Sequence, residues 1–494
     1  MIDEVDHGAK LISQPRIPQS TILRMPNLDC TSPLRPALAT LAVVASIVPL
    51  LAQAPRAVDL IVANGIVVTM DAERRVISPG SVAISGHSIV GVGTADRIAQ
   101  DFKGRDTLNA QGRVVMPGLI NTHTHAPMVL YRGLGDDLAL MDWLQKYIFP
   151  AEAKTVSPAF VRTGTRLAAL EMIRSGTTTY VDMYYFEEEI ARATKEAGMR
   201  GVLGQSIIEF PVPDAKTPAD ALARAEAFIR EFHKDELIVP AVAPHSVYTL
   251  DAATLIKSRD LAAKYDVPLL IHLAETEAEN ALALERHKAR PVAALTALGF
   301  WGPTIIAAHG VWIEPDEIAV LQKHRVGVSH NPESNMKLAS GAAPVVQYLK
   351  AGVRLGLGTD GAASNNDLDM FEAMRQAAFL HKLVTRDPRV VSAQTALEMA
   401  TIGGARVIGR EKQLGSLEVG KLADLIVVRM DQPRQTPMYE PISHLVYTTR
   451  GDDVDTTIVN GKVLMRAGKV LTLNAAQVLD DARRAASTVR AAVQ

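Results

Sequence analysis

Through the middle of the chain, short apolar runs alternate with stretches whose apolar positions recur every three to four residues. The first run ends near His123 in "VVMPGLINTHTHAPMVL" (114–130), and the next are "TTYVDMYY" (178–185) and "RGVLGQSIIEF" (200–210). "IVPAVAPHS" (238–246), "VPLLIHLAE" (267–275) and "TIIAAHG" (304–310) follow, then "VGVSHN" (326–331) and "VRLGLGTDG" (353–361). Amphipathic stretches such as "FVRTGTRLAALEMIRSG" and "PADALARAEAFIREF" lie between them. Near-continuous apolar runs of this length predict strands buried on both faces, and alternation with helices predicts parallel pairing. The eight repeats predict an α/β fold, a (β/α)8 TIM-like barrel over residues 117–412.

The two ends of the chain have a different texture. "VDLIVANGIVVTM" (58–70) and "GSVAISGHSIVGVG" (80–93) are Val/Ile-rich runs broken by Asn-Gly, Gly-His-Ser and Gly-Val-Gly, which predicts antiparallel strands and turns. "GSLEVGKLADLIVV" (415–428) and "DTTIVNGKVLMRAGKVL" (455–471) repeat the pattern far downstream. Each end alone has too few strands to bury a face. Residues 55–116 and 413–474 are therefore expected to build one small β-sandwich, followed by a C-terminal helix over 475–494.

Residues 1–54 stand apart. "RPALATLAVVASIVPLLAQAP" (35–55) sets a basic residue before an apolar run and then Ala52-Gln53-Ala54. The run is short for a membrane span and suits the core of a signal peptide, so export to the periplasm is one expectation. Pro55 directly after the small-residue site and the long stretch before Arg35 fit that pattern poorly, although a start at Met25 would shorten the stretch. The alternative is a disordered extension on a cytoplasmic protein.

Composition changes the picture little. The chain has 494 residues, 48% apolar and 21% charged, with a formal net charge of -2, ordinary for a large globular protein. That balance offers no electrostatic reason for nucleic acid or an anionic membrane as partner. The single cysteine, Cys30, excludes an internal disulfide framework and any multi-cysteine zinc site, so a bound metal must be held by histidines and carboxylates.

Those residue types sit at the predicted strand ends. His123 and His125 are spaced by one residue, so in an extended chain both rings lie on one side. Alone, such a pair is equally a satisfied polar pair. But His245, His272, His309, His330 and Asp360 also end predicted strands, and the C-terminal strand ends of a barrel share one mouth. Random placement would scatter the 13 histidines over helices and loops as well.

The spacing resembles the amidohydrolase superfamily, and four segments narrow the likeness: "IHLAETEAEN", "SHNPESNMKLASGAAPV", "LGTDGAASNNDLDMFEAMR" and "MDWLQKYIFPAEA". These are similar to the branch of 5-methylthioadenosine/S-adenosylhomocysteine deaminases and triazine hydrolases. The resemblance implies one divalent metal, Zn²⁺ or Fe²⁺, held by His123, His125, His272 and Asp360. Two-metal members carry a lysine at the end of strand 4, and "VPAVAPHSVYT" has none.

By the same resemblance, Asp360 takes the proton of the attacking water, Glu275 protonates ring N1 and His309 hydrogen-bonds the attacking oxygen. Glu152 implies a ribose contact, His245 a nucleoside contact from strand 4, and Trp143 an apolar wall. Gln205 stands where deaminases of S-adenosylhomocysteine can carry an arginine, with Lys216 nearby in the next loop. The implied reaction is hydrolytic deamination of a small-molecule nucleoside by a homo-oligomer. The alternatives are an aminohydrolase or chlorohydrolase of another ring (guanine, a pterin, an s-triazine) and a catalytically inactive structural barrel.

Overall fold

A computed structural model of the protein describes residues 54–493, and the signal-like segment read from the sequence lies outside them, Ala54 apart. Eight parallel strands form one sheet in chain order: Leu119–Thr124, Thr177–Tyr184, Arg200–Ile207, Ile238–Pro244, Leu269–Leu273, Ile305–His309, Gly327–His330 and Arg354–Leu357. All eight of the predicted runs supply a strand. The second and third strands are buried at every position, which is why their sequences read as apolar without alternation. The sheet curls into a near-closed barrel. Its first and last strands meet through the Thr122 hydroxyl, which donates to the Leu357 carbonyl at 2.9 Å. Asp360 N–H likewise donates to the His123 carbonyl at 2.9 Å.

The helices between the strands start where polar caps stop the chain from extending. Ser157 caps Pro158–Arg174, Asp251 caps Ala252–Tyr265, and Thr217 with Asp220 forms a reciprocal capping box on Pro218–Phe232. Proline at the first turn presets the backbone of two of them.

Both ends of the chain do join, in a single mixed sheet of nine strands. The seam is antiparallel pairing of Leu425–Arg429 with Arg113–Pro117, with Met116 opposite Ile426. Leu60, Val82, Ile84, Val115, Leu425 and Ile458 share its core. One detail differs from the sequence reading. Asn64-Gly65 is not a turn: strand Arg56–Val68 runs straight through it, with register shifts on either side of Gly65 against its neighbour Val76–Ser85. Asn64 takes φ 64°, and a Cβ on Gly65 would come within 2.7 Å of Val115 Cγ2. The bulge lets the strand change partners, from Phe102–Asn109 along its first part to Arg113–Pro117 at its end. Asn460-Gly461, by contrast, does connect paired antiparallel strands.

The sheet is tied to the barrel by a buried ion pair, Arg200 to Asp424 at 3.0 Å. Helix Ala475–Val493 buries Val478, Ala482 and Val489. No helix among the described residues is long and apolar enough to cross a membrane.

Candidate metal centre and active site

The first barrel strand delivers His123 at its C-terminal end, and His125 follows where the chain turns into the short helix Ala126–Tyr131. Their Nε2 atoms each lie 3.4 Å from Asp360 Oδ1, carried from just beyond the eighth strand. His272, on the fifth strand, brings its Nε2 to 3.3 Å from that of His125. All four residues named from the sequence as ligands thus converge.

The partners on the far side of each ring decide what the near side can do. His125 Nδ1 lies 2.6 Å from the Met183 carbonyl and His272 Nδ1 lies 2.9 Å from the His245 carbonyl. A carbonyl only accepts, so each Nδ1 bears a proton, and in the neutral ring Nε2 then presents a lone pair. Two lone pairs at such a distance repel unless a cation lies between them. The buried His123 Nε2 has no hydrogen-bond partner, and burial holds this imidazole neutral, its pKa pushed down to about 4. Neutral imidazoles, an orphaned buried nitrogen and a carboxylate fit a divalent ion with nitrogen and oxygen preference.

Asp360 is set for the same task. Burial alone would raise its carboxyl, but contact with His123 and the neighbouring imidazoles prevails and holds it well below the usual carboxylate range. Oδ2 accepts from the Ser334 and Ser364 hydroxyls at 2.7 and 3.0 Å, and Oδ1 accepts from Gly361 N–H at 2.7 Å.

Facing this cluster is Glu275, just beyond the fifth strand. It is 8% exposed, and burial raises its carboxyl above the ordinary value. Its Oε2 lies 3.8 Å from His309 Nε2. The other nitrogen of His309 lies 2.9 Å from Asn335 Oδ1 and 3.3 Å from Asn331 Nδ2. Nitrogens of His309, His123 and His272 also fall within 4.8 Å of one another, so geometry alone admits His309 as a ligand as well as a partner of Glu275.

Glu152 and Trp143 arrive from the segment after the first strand, and His245 from the end of the fourth. All three line the same cavity as His125, His272 and Glu275. Glu152 is buried, and the Tyr184 hydroxyl donates to its Oε1 at 2.6 Å. Burial outweighs that bond and pushes its carboxyl up to about 7. The Trp143 indole donates to the Leu134 carbonyl at 3.2 Å, which fixes the ring against the cavity. His330 turns elsewhere and pairs with His381, Nε2 to Nε2, at 2.9 Å.

Gln205 does not join them. Its amide is engaged by Asp214 Oδ2 at 2.9 Å and by the Ser206 carbonyl, and the next residue, Ser206, lines the cavity instead. Successive strand residues point to opposite faces, so the cavity is lined one position beyond the Gln205 expected from the sequence. Lys216 is exposed and does not line the cavity either. The residues that brace the ligands, Ser334, Asn335 and Asn331, were missed as individuals. Their signal was the polar run "SHNPESN" following an apolar strand.

A parallel barrel whose strand ends gather histidines and carboxylates at one mouth defines a metal-competent hydrolase architecture. The family model for the Amidohydrolase family matches residues 114–464, and the chain belongs to that family. It is 48% identical over 432 residues to a 5-methylthioadenosine/S-adenosylhomocysteine deaminase of Syntrophobacter fumaroxidans, covering 87% of this chain and 98% of the relative. It is 43% identical to a 5′-deoxyadenosine deaminase of Methanosarcina mazei, covering 88% and 99%. Among solved structures, an adenosine deaminase from Xanthomonas campestris with bound zinc superposes with a TM-score of 0.87 at 38% identity, covering 88% of this chain and all of that one.

Proposed function

We propose that the chain is a metal-dependent aminohydrolase that replaces the 6-amino group of an adenosine-type nucleoside with oxygen and releases ammonia. The carrying observation is that a buried carboxyl, Glu275, faces the same point as the imidazole and Asp360 cluster, with Glu152 in the same cavity. The deaminase names of relatives at 48% and 43% identity support the substrate class.

His123, His125, His272 and Asp360 would hold one divalent ion, with zinc favoured and Fe²⁺ the alternative. Such an ion supplies Lewis acidity that makes water a nucleophile at neutral pH. Asp360, kept ionised by its imidazole neighbours, accepts a proton as the water oxygen adds to C6. Glu275, whose raised pKa keeps it protonated further toward neutrality, donates to ring N1 in the same step. As the C6–N bond breaks and C6=O forms, Glu275, left ionised, takes up the proton of the C6 hydroxyl and relays it to the departing amino nitrogen, which leaves as ammonia. The proton held by Asp360 then restores Glu275. His309 hydrogen-bonds the oxygen on C6 as charge develops there. Glu152 accepts from the ribose hydroxyls, while Trp143 and His245 border the base.

The test is turnover of a nucleoside panel by the zinc-loaded full chain, read by the adenosine-to-inosine change in absorbance and by stoichiometric ammonia. A fully metallated protein that turns over none of the panel would refute the proposal.

A further inference from the structure

We infer that the 5′ side of the nucleoside enters a second, apolar cavity without a cation, so that the enzyme prefers uncharged 5′ substituents to an amino-acid-bearing one. This rests on the deaminase reading above and adds a choice between substrates that the relatives' names leave open.

The second cavity, about 520 Å³, adjoins the catalytic one, and Phe149, Glu152 and Tyr185 line both. If Glu152 takes the ribose hydroxyls, the 5′ carbon of the same sugar has this adjoining space before it. Its walls are Phe149, Tyr185, Phe210, Val212 and neighbouring prolines, and the Phe149 and Phe210 rings meet edge-on at 5.6 Å. A thioether or methyl group gains there from apolar burial and from sulfur–aromatic contact.

The lining offers a carboxylate no cation. Among the described residues that form it there is no lysine, arginine or histidine; the polar groups are the Gln145 amide, the Tyr185 hydroxyl and the acidic Glu152. The guanidiniums on nearby elements are already paired. Arg224 binds Glu188 at 2.8 Å and Asp214 at 3.2 Å, and Arg286 binds Glu209. The Gln205 amide is likewise taken by Asp214. A homocysteine carboxylate would give up hydration here without gaining a cation, which costs affinity unless it stays in water.

The experiment compares kcat/KM for 5-methylthioadenosine, 5′-deoxyadenosine, adenosine and S-adenosylhomocysteine on the zinc-loaded enzyme and on two variants. Phe210 is suited to substitution because it is 40% exposed. We expect the wild type to favour 5-methylthioadenosine over S-adenosylhomocysteine by about tenfold or more, the scale of one missing charged hydrogen bond. Phe210→Arg should move that ratio toward S-adenosylhomocysteine by about tenfold, the same interaction restored. Phe210→Ser should shrink the advantage of 5-methylthioadenosine over adenosine about threefold or more, through lost apolar contact. A wild type that handles S-adenosylhomocysteine as well as 5-methylthioadenosine would overturn this inference and leave the deaminase reading standing. Ratios unmoved in both variants would overturn the assignment of the cavity. No turnover of any of the four would instead overturn the deaminase reading.

Discussion

Replacing Glu152 with glutamine separates what this carboxyl does for binding from what it costs the fold. The side chain is buried and burial raises its pKa to about 7, against an ordinary 4.5, with only the Tyr184 hydroxyl donating to it. The folded chain therefore holds the proton more tightly than the unfolded chain. Below about 4.5 both states are protonated and the group's contribution to stability is fully present; it is lost as the pH rises through about 7. The interval between those two values corresponds to about 3 kcal/mol. Glutamine keeps an acceptor for Tyr184 and never ionises. Urea unfolding at fixed zinc should thus give wild type and Glu152→Gln a similar stability near pH 4. At pH 8 the variant should be the more stable, by up to about 3 kcal/mol. Other titrating groups cancel in the difference.

If Glu152 also receives the ribose hydroxyls, the same substitution raises KM for nucleosides about tenfold, the worth of a charged hydrogen bond. Stability and binding then move in opposite directions, as expected where a site keeps a poorly solvated charge for function. A stability difference that does not change with pH, or a wild type that gains on the variant as pH rises, would refute the reasoning.

Three further outcomes are expected. Glu275→Gln should retain its metal and lose about 10²–10⁴ in kcat, the usual span for a general acid, measured by ammonia release; activity within tenfold of wild type would remove Glu275 as proton donor. His272→Ala should bind less than one zinc per chain by elemental analysis. It should also lose the stabilisation that zinc at a hundred times its Kd gives the wild type, about 2.7 kcal/mol. Ser334→Ala removes the 2.7 Å hydrogen bond to Asp360 Oδ2 and should weaken zinc about tenfold in chelator competition; an unchanged affinity would mean that Ser364 and Gly361 suffice.

The barrel was legible because strands buried on both faces leave uninterrupted apolar runs, and each run ended close to where its strand ends. The metal-competent residues were legible for the same reason: a histidine or aspartate closing an apolar run must emerge at the mouth. Local signals failed where long-range packing decides conformation. Asn64-Gly65 has the composition of a hairpin turn, yet Val115 from a neighbouring strand requires the glycine inside a bulge. Gln205 and Ser206 differ by one residue of pleat, and only the assembled barrel shows which faces the cavity. The supports of His309 and Asp360 come from a segment 26 residues away from each, so no spacing within either strand end announces them.

The mouth also stores strain that the sequence does not advertise. Ala274, His309 and Asp360 all adopt left-handed backbone, with φ of 49°, 73° and 64°. Residues with a Cβ in this region cost on the order of 1–3 kcal/mol each and persist only where surrounding bonds hold them. Those bonds are present. The Ala274 carbonyl accepts from Val311 and Trp312 N–H at 3.0 and 2.9 Å, stitching the loop after the fifth strand to that after the sixth. The buried Glu279 carboxylate accepts from Glu275 N–H at 2.8 Å. Asp360 N–H reaches the His123 carbonyl, closing the eighth strand against the first. Each turn comes at or beside a residue assigned to the chemistry: Glu275 follows Ala274, and His309 and Asp360 are themselves turned. A relaxed extended strand would carry the next residues onward along its axis, whereas these kinks bend three strand ends inward to one point. Left-handed residues occur elsewhere in the chain too, but these three sit where the strand ends converge, and the hydrogen bonds that hold them tie the residues proposed to handle protons to the metal-competent cluster.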